Sequence, residues 1–126
     1  MFTVIITTFN RDKFLKRACK SVVDQSLKPK EIIIINNGVY KYKSNDFIFK
    51  RKSKIKLVII NNEKNLYPSK ARNLGAKIAK NKYLCFLDDD DTWEFNYLKE
   101  AKKIIKKEKP HIILSKIYIN KKIFKN

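Results

Sequence analysis

Residues 83–91 read YLCFLDDDD, a short apolar run that passes directly into four consecutive aspartates. An apolar run of this length, ended by polar residues, is typical of a strand buried inside a sheet. With 12 acidic residues among 126, a run of four acids is expected by chance about 0.01 times. We therefore predict a strand over 83–87 with an acidic cluster at its carboxyl end.

Three earlier segments have the same arrangement, an apolar run followed by polar residues. Residues 4–6 lead into the polar segment 7–10, and residues 31–35 lead into the Asn-Asn-Gly turn signal of 36–38. Residues 56–60 form a further apolar run that ends in a polar segment. Ligands of open α/β sheets bind beyond the carboxyl ends of the strands. We therefore expect the polar segments after strands one, two and four to form one site.

Helical periodicity separates these strands. Apolar residues recur at helical spacing over 11–25, in a segment that opens at Pro68, and again over 94–108. The connection before the third strand is weakly patterned and predicts only a short helix over 46–50.

Strands that alternate with helices predict an α/β domain with a mostly parallel sheet and helices on both of its faces. We expect a fifth strand to begin at 112–114 and to continue through the alternation of Ile117, Ile119 and Ile123. With 126 residues, 44% of them hydrophobic, the chain is long enough for one domain with a buried core.

The cellular compartment can be inferred from three features, namely the cysteine content, the lengths of the apolar runs and the first residues of the chain. The two cysteines, Cys19 and Cys85, are too few for a disulfide scaffold and have no metal-binding spacing. The apolar runs are far too short to span a membrane, and the first residues lack the basic region of a signal peptide. We therefore expect a cytoplasmic protein in a reducing environment, with possible peripheral binding at the inner face of the membrane.

The chain is strongly basic, with 30 Lys and Arg against 12 Asp and Glu and a net charge of +18. Only four of these bases are arginine, and Lys, Ile and Asn share AT-rich codons, so compositional drift shaped by solubility is one explanation. The other is attraction to anionic partners, namely nucleotide diphosphates, an anionic membrane surface or nucleic acid. The basic run 50–54 suggests nucleic acid as a binding partner. The scarcity of arginine, the acidic run and the lack of a known nucleic-acid-binding motif argue against this partner.

Four adjacent carboxylates repel each other, so a run such as 88–91 is costly to keep ionised without a counterion. Hard oxygen ligands of this kind select magnesium or manganese, often together with a substrate diphosphate. A solvated turn before a helix N-terminus is the alternative, because the helix dipole also favours anions. The position directly after an apolar strand favours a site for a metal ion and a nucleotide.

Five segments, in order along the chain, resemble glycosyltransferase family 2. They are VIITTFNR (4–11), SVVDQS (21–26), EIIIINNG (31–38), ARNLG (71–75) and YLCFLDDDDTW (83–93). Each segment is weak alone, but five in the same order are specific. The resemblance implies a GT-A, Rossmann-like fold and an inverting enzyme that takes a nucleotide-sugar donor, with UDP as the expected nucleotide. It also implies a glycan or lipid-linked acceptor in bacterial surface-glycan synthesis.

The resemblance also implies roles for individual residues. Thr7 and Phe9 would line the pocket for the nucleobase, with Asn37, Arg72, Asp88 and Asp89 as further contacts to the nucleotide. Asp88 and Asp90 would bind Mn2+ or Mg2+, with Asp90 as the principal ligand. Alternatives remain for two of these residues, since Phe9 could cover the core and Arg72 could be an ordinary residue of a helix surface. Trp93 is interpreted as a packing residue.

The chain departs from the family in two places. Family members usually have aspartates where this chain has Asn36 and Asn37, and an asparagine can accept from the base through its carbonyl but adds no charge. The inverting reaction also needs a general base, and after the acidic run only Glu94, Glu100 and Glu108 remain, none of them convincing.

We therefore interpret 1–126 as a single donor-binding domain whose acceptor-binding half is absent. Such a chain would be an isolated domain, a truncated reading frame or one part of a split assembly. A non-catalytic domain that binds nucleotide and a basic nucleic-acid module remain the alternative functions.

Overall fold

Strands and helices alternate along most of the chain. The computed structural model describes residues 1–47, 49 and 53–115, together with the backbone of 117–119 and 122–124. The elements are β1 (Phe2–Thr8), α1 (Asp12–Val23), β2 (Glu31–Asn36), a 3-10 helix (Ser44–Asp46), β3 (Lys56–Asn61), α2 (Pro68–Ile78), β4 (Tyr83–Asp88), α3 (Tyr97–Glu108), β5 (Ile117–Ile119) and β6 (Lys122–Phe124).

The first four strands form one parallel sheet in the order β3-β2-β1-β4. The chain moves outward from β1 to β3 and then returns to place β4 on the other side of β1. The direction of winding therefore reverses between β1 and β4, where Thr7 lies opposite Asp88. The predicted α/β class with a mostly parallel sheet is confirmed.

Helices cover both faces of this sheet, as predicted. Side chains of β1 alternate between the faces, so that Val4 and Ile6 pack with Leu15 of α1 and Leu98 of α3. Ile5 points to the opposite face and packs in a second cluster with residues of α2. Burial on both faces explains the nearly continuous apolar runs of β1 and β2. β4 lies at the edge of this sheet and leaves Leu84 and Phe86 exposed. Within the described residues, no helix has the length and apolar character needed to cross a membrane.

The predicted fifth strand is observed only in part. Residues 112–115 form no strand, and Ile112 and Leu114 are exposed. Instead β5 and β6 pair with each other, antiparallel, in a separate two-stranded sheet. An alternating pattern has the same period in a hairpin as in a larger sheet, so it could not identify the pairing partner. The side chains of 117–119 and 122–124 lie outside the described residues.

The helix predicted over 46–50 can be compared with the structure only at residues 46, 47 and 49, of which Asp46 and Phe49 are in 3-10 turns and Phe47 is not. A 3-10 turn ends at Asp46, whose carboxylate accepts a hydrogen bond from the Lys43 backbone N–H at 2.7 Å. Phe47 is extended and buried against Tyr42, because tertiary packing outweighs local helical preference there. Ile48 and Lys50 lie outside the described residues, as do Arg51 and Lys52 of the basic run.

A buried carboxylate holds the edge of the sheet opposite the polar clusters. Glu31, at the start of β2, is only 2% exposed, and its Oε2 accepts hydrogen bonds from the Thr3 hydroxyl at 2.9 Å and the Lys80 backbone N–H at 3.0 Å. Lys56 Nζ lies 3.5 Å from the other oxygen. Burial raises the pKa of Glu31, but these hydrogen bonds and the Lys56 charge outweigh it, so the pKa lies below its ordinary value of 4.5.

Replacing Glu31 with glutamine is expected to lower the free energy of unfolding at pH 7 by about 1–3 kcal/mol, because a neutral amide replaces a buried, charge-assisted acceptor. The depressed pKa of Glu31 means that its stabilisation is complete well above pH 4.5 and is lost as the pH falls through the folded-state value. Urea unfolding from pH 7 to pH 3 should therefore show the difference between the two proteins shrinking towards low pH. A difference that is constant with pH would contradict this assignment, and exposed Glu100→Gln serves as the control.

Candidate functional site

A pocket opens at the carboxyl ends of β1 and β2, where the sequence places its polar clusters. Its volume is about 230 Å³. It is lined by Thr7, Thr8, Phe9, Arg11, Asn37, Asn65, Leu66 and Pro68. Small-molecule pockets usually enclose about 300–1,000 Å³. This pocket therefore suits one ring system with its immediate substituents, and a larger ligand would extend beyond it.

The loop after β1 is held by a close contact with the loop after β2. Asn10 is in the left-handed region, with φ of 54°, and its Oδ1 accepts a hydrogen bond from the Val39 backbone N–H at 2.8 Å. A Cβ atom at Gly38 would lie 2.4 Å from that same oxygen, so only glycine fits there. This contact fixes the loop that carries Phe9, which is 48% exposed and lines the pocket.

Asparagine amides form a network where β2 and β3 end. Asn36 Nδ2 donates to Asn61 Oδ1 at 2.8 Å, and Asn62 Nδ2 donates to Asn37 Oδ1 at 2.7 Å. Asn37 Nδ2 in turn donates to the Leu66 carbonyl at 3.4 Å. The side chain of Asn37 is therefore oriented by protein contacts, and its carbonyl oxygen already has one donor before it meets any ligand.

The four aspartates divide into one buried and three accessible side chains. Asp88 ends β4, and a turn closed by the Asp91 N–H to the Asp88 carbonyl, at 3.1 Å, follows it. Asp89 points inward, is 1% exposed, and accepts a hydrogen bond from the Thr8 hydroxyl at 2.7 Å. Asp90 and Asp91 are exposed, and Asp88 is partly exposed. The turn thus gives neighbouring residues of one type different surroundings.

The accessible carboxylates suit a hard divalent cation. One oxygen from each of Asp88, Asp90 and Asp91 lies within 4.8 Å of the others. Partial burial raises the pKa of Asp91, and the negative charges of Asp90 and Asp88 raise it further. Magnesium takes oxygen ligands, usually one or two carboxylates together with substrate phosphates and water. The donor set fits the predicted ion and adds Asp91, which the sequence analysis did not assign.

Arginine side chains surround the acidic run. Arg72 of α2 pairs with Asp88 at 2.5 Å, so it is not an isolated residue of the helix surface. Arg11 lies 2.9 Å from both Asp89 and Asp90, and Arg17 donates to the Asp90 carbonyl. The sequence analysis missed Arg11 and Arg17. Their signal was the rarity of arginine in a lysine-rich chain, since a planar guanidinium matches carboxylates in a way that lysine does not.

The segment after the acidic run is clamped to the end of α1. Gln25, fully buried, donates through Nε2 to the Glu94 carbonyl at 2.7 Å and accepts from the Leu98 N–H at 3.0 Å. These contacts keep residues 94–96 out of the helix predicted to begin there, and α3 begins at Tyr97. Trp93 stacks on Tyr97 with ring centroids 4.4 Å apart, as expected of a packing residue.

The three glutamates considered as a general base lie away from the pocket. Glu94, Glu100 and Glu108 are exposed and do not line it, and Glu100 pairs with Lys103 on the surface of α3.

Burial raises the pKa values of Cys19 and Cys85 to about 12, so both thiols are inert as nucleophiles at neutral pH.

Comparisons with known sequences identify similar proteins. A sequence profile described as Glycosyl transferase family 2 matches residues 3–125. The chain is 33% identical over 117 residues to the "Cholesterol galactosyltransferase" of Borreliella burgdorferi, an alignment covering 93% of this chain and 32% of that protein. It is 30% identical over 124 residues to the "UDP-Glc:alpha-D-GlcNAc-diphosphoundecaprenol beta-1,3-glucosyltransferase WfaP" of Escherichia coli, covering 96% of this chain and 47% of that protein.

Solved structures include proteins with the same fold. The crystal structure of "S. aureus TarS 1-349 in complex with UDP-GlcNAc" is similar with a TM-score of 0.72 and 27% sequence identity. The similarity covers 86% of this chain and 32% of that one. The chain therefore spans less than half the length of each of these three proteins.

Proposed function

The chain belongs to glycosyltransferase family 2, and we propose that residues 1–126 are the domain of such an enzyme that binds a nucleotide-sugar donor with a divalent cation. The observation that carries the proposal is the position of the pocket and the acidic cluster. Both lie at the carboxyl edge of the sheet, on either side of the point where the winding reverses between β1 and β4. Open α/β sheets bind ligands in that crevice.

The proposal assigns the nucleobase to the pocket. Phe9 offers a half-exposed ring for stacking. Thr7 and Asn37 line the same pocket and would contact the polar edge of the base. A uracil edge has both donors and acceptors. The amide of Asn37 could meet it with its remaining N–H or with the second lone pair of its carbonyl.

The diphosphate would then lie towards Asp88, Asp90 and Asp91. These three residues would hold Mn2+ or Mg2+, and the cation would offset the negative charge that develops on the departing nucleoside diphosphate. Arg72 stands beside Asp88 and supplies positive charge for the same group. Asp89 would stabilise the turn that carries these residues, because its carboxylate accepts a hydrogen bond from the Thr8 hydroxyl. The predicted contact between Asp89 and the nucleotide stays a prediction.

The acceptor and the general base would come from outside this domain. Two similar proteins are named for transfer to cholesterol and to a diphosphoundecaprenol-linked sugar, which motivates a lipid-linked or glycan acceptor. Such an acceptor would place the enzyme at a membrane face, and the chain's net charge of +18 would favour an anionic one. Inversion at the anomeric carbon is part of this proposal.

Thermal unfolding of the 126-residue chain tests donor binding. UDP with Mn2+ at about 100 times its Kd should stabilise the fold by about 2.7 kcal/mol and raise Tm by about 10 °C. UDP without the cation should raise Tm far less, because the diphosphate would then lie beside the carboxylates of Asp88, Asp90 and Asp91 with no metal ion between them. UMP, which lacks the bridging diphosphate, should give a small shift that does not depend on Mn2+. A UDP shift that is equal with and without the cation would contradict the assigned metal site.

A further inference from the structure

Arginine is used selectively in this chain. Only four of its 30 basic residues are arginine. The three within the described residues, Arg11, Arg17 and Arg72, all contact the acidic run. Lysine would supply the same charge at these positions, but it is a single point donor without a planar fork. The distribution therefore indicates that geometry, and not charge alone, matters around the aspartates.

Arg11 is the arginine that joins the buried and the exposed parts of the run. Its Nη2 lies 2.9 Å from Asp89 Oδ1, an ion pair on the inner side whose N–H is not aimed at the oxygen. Its Nη1 donates to Asp90 Oδ2 at 2.9 Å on the exposed side. Asp89 is itself held by the Thr8 hydroxyl at 2.7 Å. A continuous series of contacts thus runs from β1 through Asp89 and Arg11 to Asp90.

The hydrogen bond from Arg11 leaves one carboxylate oxygen of Asp90 free to bind a cation. Arg11 engages Oδ2 of Asp90, so Oδ1 of the same carboxylate remains available, and Asp91 has no arginine on its carboxylate among the described residues. Carboxylates that bind metal ions are commonly oriented by hydrogen bonds to their second oxygen, and loss of such partners typically weakens metal binding about 10–100-fold. Arg11 has the placement of such a partner.

We propose that Arg11 is a positioning residue that orients Asp90 for a divalent cation by bridging it to the buried carboxylate of Asp89. This inference rests on the proposed metal-nucleotide function. If Arg11 acts in this way, its removal changes cation affinity in the direction opposite to that expected from charge alone. Removal of a positive charge beside a cation site should strengthen cation binding, whereas loss of an orienting contact should weaken it.

Arg11→Lys separates these effects, because it keeps the charge but replaces the two guanidinium nitrogens that contact Asp89 and Asp90 with a single nitrogen on a shorter side chain. Mn2+ affinity can be measured without nucleotide, from the electron paramagnetic resonance signal of the free ion. We expect Arg11→Lys and Arg11→Gln each to bind Mn2+ about 10–100-fold more weakly than the unmodified chain. Urea unfolding without metal establishes that each variant is folded at the assay temperature.

Lys13→Gln is the matched control, since it removes one exposed positive charge two residues from Arg11, at a side chain with no ion pair to an aspartate among the described residues. It should leave Mn2+ affinity within about twofold, because exposed charges at a distance are screened. Equal or tighter Mn2+ binding by folded Arg11→Lys would overturn the inference and leave the proposed function standing. No Mn2+ binding by the unmodified chain would instead overturn the metal site of the proposed function, and this inference with it.

Discussion

Replacing Asp90 with alanine is expected to abolish the stabilisation by UDP that depends on Mn2+. The increase of about 10 °C in Tm expected for the unmodified chain should fall below about 1 °C. Asp90 is exposed and offers an oxygen to the cluster formed with Asp88 and Asp91. With one of three carboxylates removed, the remaining pair would hold a divalent cation too weakly to bridge a diphosphate.

The fold itself should tolerate this change. The carboxylate of Asp90 pairs only with Arg11 among the described residues, and both side chains are about half exposed, so the pair adds at most about 1 kcal/mol. Asp24→Ala removes a similarly exposed carboxylate from the end of α1 and should leave the UDP response unchanged. Asp90→Ala should also keep the shift with UMP, because Asp90 does not line the pocket. An unaltered shift with UDP and Mn2+ in Asp90→Ala would exclude Asp90 as a metal ligand.

Replacing Gly75 with alanine is expected to destabilise the protein, although glycine to alanine within a helix ordinarily gains about 1 kcal/mol. Gly75 is buried where α2 crosses β1, and a Cβ atom there would lie 2.5 Å from Ile5 Cγ2. Ile5 is 1% exposed in a central strand and has no room to withdraw. Overpacking of this kind costs about 1–3 kcal/mol, and urea unfolding would measure it.

A second substitution tests the cause. Ile5→Leu removes the branch at Cβ that meets the new methyl group, at a cost of less than about 1.5 kcal/mol. The double variant Ile5→Leu/Gly75→Ala should therefore be more stable than the sum of the single effects by about 1 kcal/mol or more. Lys77→Ala, on the exposed face of the same helix, should change stability by less than about 0.5 kcal/mol. Strict additivity of the two core substitutions would show that the close approach is not the source of the loss.

The same close approach bears on the site. Gly75 allows α2 to lie against β1, and α2 carries Arg72 to within 2.5 Å of Asp88. A helix displaced by a methyl group would change that contact. The glycine of the ARNLG segment thus links packing inside the sheet to the charges around the acidic run.

Local patterns predicted the elements that carry the site. The four parallel strands and the three helices were expected within a few residues of their observed limits, because the spacing of apolar side chains reports which face of each element is buried. The acidic cluster was expected at the end of β4 for the same reason, since the strand that precedes it is apolar. The strand predicted from 112 onward is observed only over 117–119 and 122–124, where β5 and β6 pair with each other and not with the parallel sheet.

Contacts between distant residues were not predictable in this way. Arg11 and Arg17 reach the acidic run across 73 to 79 positions of sequence, and Asn62 reaches Asn37 across 25. Such pairs depend on the order of strands in the sheet and on the distance at which each helix packs. Neither is encoded in the period of a single segment.

The acidic run combines features that follow from local sequence with features that depend on contacts between distant residues. Its composition and its position after an apolar strand were predictable from the sequence, because adjacent residues and their periodicity are local properties. The turn that points Asp89 inward to Thr8 and leaves Asp88, Asp90 and Asp91 accessible arises only when β1 and β4 lie side by side. Identical side chains thereby acquire different surroundings, since burial and charge partners come from residues that the folded sheet brings together.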